Sequence, residues 1–126
     1  MQIFQTQWFS RWGIKQGLSE RTLRQAVAEI EEGLVDAKLG GSVVKKRVAV
    51  GGRGKSAGVR TILAFRTSEK AFFLYGFAKN QRDNISEKEL QALKLMATHL
   101  LGYDDKALEK AMDAHELYEV KNETNT

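Results

Sequence analysis

The side chains best equipped for chemistry in this chain are cations. From Val43 to Arg82 the stretch VVKKRVAVGGRGKSAGVRTILAFRTSEKAFFLYGFAKNQR carries ten Lys and Arg against one acid, Glu69, a local charge of +9. Lys45, Arg47, Arg60 and Arg66 stand at positions that place all four on one face of a sheet, with no carboxylate expected among them. Alternate residues of a strand lie about 7 Å apart, comparable with successive phosphates along a nucleic-acid strand. Like charges packed this closely repel, so such a face is costly unless a polyanion occupies it. The chemistry on offer is the binding and electrostatic stabilisation of phosphate groups. A solvated face or an acidic protein partner are alternatives; the segregation of the charge favours nucleic acid.

Two connections extend this cationic set. Ala49-Val-Gly-Gly-Arg-Gly-Lys55-Ser56 approaches a nucleotide-binding loop, but such a loop must open a helix whose amides hold the phosphates. Here Val59-Arg60-Thr61-Ile62 follows and reads as a strand, so the segment is expected to be a flexible hairpin connection carrying Arg53 and Lys55. Lys79 and Arg82 lie in GFAKNQRDNI, where a strand gives way to a loop beside the N-terminus of a helix. The alternative there is an ordinary polar turn with Asp83 paired to Arg82. His99 and His115 fall in helical segments far from the basic strands, and no ligand set for a metal is visible. Neither a metal nor a cofactor is expected.

The elements that must position these residues are legible from periodicity. Gln2 to Thr6 suggests a short strand, and Trp8, Phe9 and Trp12 follow at helical spacing, as core residues in preference to a base-stacking platform. Ser19 caps an amphipathic helix along Leu23, Val27, Ile30 and Leu34, stopped by Gly33 or by Gly40-Gly41. Three strands come next. The first, 43–50, alternates except at Lys46, which falls on the apolar side; the second is 59–66; the third, 70–77, is apolar on both faces and so central. Tyr75 and Phe77 are expected in the core. Ser86-Glu87-Lys88-Glu89 is a capping box, Gly102 ends the helix it opens, and Asp104 or Asp105 caps another. Leu117 to Val120 could add an edge strand. The order β-α-α-β-β-β-α-α predicts an α+β domain over 1–120, a mostly antiparallel sheet packed against helices, with a polar tail at 121–126.

Size and composition set the outer limits. With 126 residues, 42% hydrophobic and 29% charged, the chain suits one soluble domain with a modest core. It contains no cysteine, which excludes disulfides and thiolate metal sites. No apolar run nears the roughly 18 residues of a membrane span, and MQIFQTQWF lacks the pattern of a secretory signal. A cytoplasmic protein without membrane contact is the expectation.

The run GRGKSAGVRTI through AFR, followed by AFFLYGFAKNQRDNI, resembles bacterial toxins of the RelE/HigB type from type II toxin–antitoxin modules. The likeness is densest over residues 43–100. It implies a RelE-like, microbial RNase-like fold, a ribosome-dependent mRNA endonuclease and a tightly bound antitoxin, in a possible toxin–antitoxin hetero-oligomer. By that resemblance, the Arg of Gly-x-Arg-x-Ile is Arg60, the lysines around the preceding hairpin are Lys46 and Lys55, and Lys-x-x-Arg after the last strand is Lys79 and Arg82. Where related toxins place a catalytic tyrosine or histidine downstream, this chain has Asn84 and Ile85.

RNA brings its own nucleophile, the 2′-OH. A protein need only align it with phosphorus, take its proton, stabilise the added charge and protonate the leaving oxygen. Arg60 is assigned to charge stabilisation, because a guanidinium grips two phosphate oxygens at once. Lys55, Lys79 and Lys46 are candidates for base or acid, since crowded cations lower a lysine's pKa. Arg82 would position the chain, and Lys45, Arg47, Arg53 and Arg66 would bind neighbouring phosphates. Two other functions share the scaffold: a ParE-like toxin that inhibits gyrase without nuclease activity, and a non-catalytic nucleic-acid-binding module.

Overall fold

The computed structural model describes residues 1–50 and 58–121, so the expected tail from 122 onward lies outside the described residues. Local signals start and stop each element. Strand β1 (Gln2–Thr6) ends on a threonine that caps helix α1 (Gln7–Gln16) by accepting a hydrogen bond from the Phe9 amide. Gly17 closes that helix at φ 82°, a conformation glycine adopts without strain. Ser19 caps α2 (Glu20–Glu31) through the Thr22 amide. A hairpin of β2 (Ala37–Gly40) and β3 (Val43–Val48) leads to β4 (Val59–Arg66) and β5 (Lys70–Ala78). Ser86 and Glu89 form the expected capping box on α3 (Glu87–Leu101). Asp104 then caps α4 (Asp105–Asp113), and β6 (Leu117–Glu119) closes the order.

The strands form one sheet in the order β2-β3-β4-β5-β1-β6. Strands β1 and β5 run parallel, and the other neighbours are antiparallel. The α+β class and the mostly antiparallel sheet are as the sequence suggested, with two strands added to the expected order. Strand β6 is the short edge strand read at Leu117. Strand β2 is a correction: its four residues are too few to show alternation, and Gly40-Gly41 turns a hairpin where a helix stop was one reading. Helix α2 instead ends ahead of Gly33, at φ 89°.

Helices cover both faces of the sheet. Phe9, Leu23, Val27 and Ile30 of α1 and α2 pack on Ile3, Val44, Val48, Leu63 and Phe73. Leu93, Ala97, Leu100 and Leu108 of α3 and α4 pack on Phe4, Val43, Ile62 and Phe72. Strand β5 sends fully buried Phe72 to one core and Phe73 to the other, as its unbroken apolar run predicted. Burying each such ring contributes about 1.5–3 kcal/mol. Among the described residues, no helix is long and apolar enough to cross a membrane.

Two details of the sheet shape the region of interest. Pairing of β5 with β4 slips between Ile62 and Leu63, which leaves Leu74 as the extra residue of a bulge. Pairing of β5 with β1 stops at Gln5 and Phe73, so Tyr75 to Ala78 run on past β1 and meet α1 instead. Gly76 is required there, since a Cβ would come within 2.2 Å of the Trp12 ring.

Candidate functional site

The pleat decides which cations can act together. Register pairs Arg47 with Arg60, and Arg60 in turn with Phe77, so all three project on the face covered elsewhere by α3 and α4. Lys45, opposite Ile62, shares that face. Lys46, one residue along, must point the other way. It is buried against α2, with its ammonium 2.7 Å from Glu29 Oε1 and donating to the Leu34 carbonyl at 2.8 Å. Its apparent break in the strand pattern is thus a buried ion pair, and the structure does not bring Lys46 together with Arg60.

Arg60 is the centre of the cluster. Its side chain is 11% exposed, with Nε 3.7 Å from Asp36 Oδ2. The other oxygen, Oδ1, accepts a hydrogen bond from Arg47 Nε at 3.1 Å. The expected absence of carboxylates from this face is therefore corrected: Asp36, in the turn before β2, reaches in between the two arginines. Arg60 Nη1 is buried and without a hydrogen-bond partner among the described residues. An unsatisfied buried donor costs about 1–3 kcal/mol, so this guanidinium holds unused binding capacity.

Arg82 reaches the cluster from the far side. Its guanidinium lies over the Phe77 ring, 5.7 Å from the centroid. Both its terminal nitrogens donate to Glu89, at 3.0 and 2.6 Å, and Nε donates to the Asn84 carbonyl at 2.9 Å. Glu89 is thus the partner, where the polar-turn reading had Asp83. The bidentate Arg82 bond and the Ser86 amide hold the Glu89 carboxyl down at about 2. The same carboxylate raises the arginine above its ordinary value, with a smaller contribution from the Tyr75 phenol.

The remaining candidates divide. Lys79 is exposed one residue past β5, and half-buried Lys45 stands on β3; neither has an ion pair among the described residues. Arg66 is on the same face as Arg60 but six residues away, about 20 Å along a strand. There it donates to the Leu101 carbonyl at the end of α3 and lies 3.8 Å from Glu69. Arg53 and Lys55 lie outside the described residues. The structure therefore brings together Arg60, Arg47, Lys45 and, through Phe77, Arg82.

Asp36 and Glu89 were missed as members of this cluster. Asp36 sits in a short loop with no motif. Glu89 is already spent, in sequence terms, on the capping box. Such an arrangement can hold an oxyanion between guanidinium groups that carboxylates keep in place.

Comparison with protein families places the chain. The model described as RelE toxin of RelE / RelB toxin-antitoxin system matches residues 1–120, and the chain belongs to that family. It is the toxin type of a toxin–antitoxin pair, whose partner is an antitoxin. No curated protein matches it.

Proposed function

We propose that this RelE-family toxin cuts mRNA on the ribosome, through attack of the RNA's own 2′-OH on the neighbouring phosphorus. The observation that carries the reading is Arg60: a largely buried guanidinium, held on one side by Asp36, with an unused donor beside further cations. A phosphate oxygen that draws Arg60 outward gains a hydrogen bond from Nη1, which has no partner among the described residues. In the step, the 2′-oxygen bonds to phosphorus and the bond to the 5′-oxygen breaks. A cyclic 2′,3′-phosphate and a 5′-hydroxyl remain. One basic group takes the 2′-proton and one acid returns a proton to the leaving oxygen.

Arg60 stabilises the extra negative charge of the transition state. Lys79 and Lys55 serve as acid and base. Arg47 and Lys45 bind the adjoining phosphates with Arg53, and Arg82 positions the chain. Arg66 binds RNA further along. Lys46, turned to the other face, has no part. Expression with and without the cognate antitoxin, followed by mapping of mRNA ends, tests the reading. New ends inside translated codons, absent with antitoxin, are expected; intact mRNA overturns it.

The engagement of Arg82 by Glu89 favours a second reading, a gyrase-directed toxin without nuclease chemistry, because few of its donors are left for a phosphate. Under that reading, expression breaks DNA and leaves mRNA whole.

A further inference from the structure

The cationic cluster does not account for α1. This helix carries Arg11 and Lys15, no acidic residue, and two tryptophans one turn apart. Phe9, between them in sequence, is fully buried and belongs to the core, but Trp8 is 47% exposed. An exposed indole on a helix that could have turned it inward calls for a reason. Trp8 stacks on Trp12 at 5.8 Å and 14°, and on Tyr75 at 4.6 Å and 24°. These rings are thus fixed in near-parallel planes before any ligand arrives. Beside them is a cavity of about 350 Å³ lined by Gln7, Trp8, Arg11, Trp12 and Lys15.

We infer that this cavity seats a base of the single-stranded RNA, stacked against the indoles, with Arg11 and Lys15 on its flanking phosphates. The inference rests on the proposed RNA-cutting function and adds a subsite to it. Three observations support it. The lining pairs flat apolar rings with two exposed cations, the combination that holds single strands without reading sequence. Among the described residues Gln7 completes the lining, and none of them sets a carboxylate against a phosphate there. The platform is also continuous with the cluster: Trp8 rests on Tyr75, which adjoins Arg82, which lies over Phe77, the register partner of Arg60. A strand crossing Arg60 could continue along this line onto α1.

The test is RNA binding by the intact toxin, with a short oligoribonucleotide carrying 2′-O-methyl groups so that it stays uncut. Trp8 and Trp12 are the two tryptophans of the chain. Trp12→Phe therefore makes Trp8 the sole indole, and its fluorescence should be quenched to saturation by the oligonucleotide. Trp8→Ala should weaken binding roughly 5- to 140-fold, the range of one lost base stack. Trp8→Tyr should restore most of it, which separates stacking from a folding defect. An abasic nucleotide at one position should weaken wild-type binding equally, with no further loss in Trp8→Ala.

If RNA binding and cleavage depend on Arg60 while Trp8→Ala and the abasic oligonucleotide change nothing, the base seat is wrong and the nuclease reading stands. If the toxin neither binds nor cuts RNA, both fall. Quenching by the antitoxin and not by RNA would make this surface a protein interface and overturn the inference.

Discussion

Arg47 and Arg60 are register partners across β3 and β4, and they share one carboxylate. Asp36 offers Oδ1 to Arg47 Nε at 3.1 Å and Oδ2 to Arg60 Nε at 3.7 Å. The cross-strand repulsion of two cations is relieved from the side, and Arg60 Nη1, which has no hydrogen-bond partner among the described residues, is left for another acceptor. Replacing Arg60 by Ala removes that group. Cleavage should fall by about 10²- to 10³-fold, the usual loss for one transition-state donor, and induced expression should no longer arrest translation. The rate of protein synthesis after induction measures it.

Asp36→Asn separates positioning from charge. Without the anion, Arg47 and Arg60 repel and Arg60 loses its anchor, so cleavage should drop. RNA affinity at low salt should hold or rise, because one negative charge has left the binding face. Stability should fall by about 1 kcal/mol, as for partly exposed ion pairs. Denaturant unfolding and a binding titration report the two effects independently.

Lys46→Ala should behave in the opposite manner. It removes the ammonium that lies 2.7 Å from Glu29 Oε1, and breaking a buried ion pair costs about 3–5 kcal/mol. The folded fraction should keep its specific activity. A stable Lys46→Ala protein without activity would return Lys46 to the catalytic set.

These two residues show how far the sequence could be read. Lys46 was visible as an irregularity in an alternating strand, but its partner lay on a helix 17 positions earlier, a distance no local pattern spans. The strands themselves, the capping box at Ser86 and the central position of β5 were legible because each follows from periodicity or from a cap within four residues. Strand β2 was not, since four residues flanked by glycines carry too little pattern. Asp36 and the stacking of Trp8 on Tyr75 depend on a hairpin and on a bulge at Leu74, which only tertiary register reveals.

Glu89 should make α3's attachment to the β5 loop sensitive to acid. Its carboxyl ionises at about 2 when folded, against 4.5 in an unstructured chain. The stabilisation is thus complete above about 4.5 and is lost as pH falls from there toward about 2. A carboxyl titration by NMR should give the depressed value for Glu89, and Arg82→Gln should move it upward. An unshifted Glu89 in the wild-type protein would rule the ion pair out in solution.

Gly76→Ala tests the packing of α1 on β5. The new methyl would meet the Trp12 ring at 2.2 Å, so the helix or the ring must shift, at a cost of about 1–3 kcal/mol. Melting of the variant measures the loss. Trp12→Leu in the same protein should recover part of it by making room.

The central claim is that RNA supplies the nucleophile to a phosphate held at Arg60. Its most direct test is a reconstituted translation reaction with the purified toxin and a message carrying a single 2′-deoxynucleotide at the mapped cleavage position. The all-ribose message should be cut there to leave a 2′,3′-cyclic phosphate, and the deoxy message should survive at that position. Equal cleavage of both messages, or arrested translation with both intact, would contradict it.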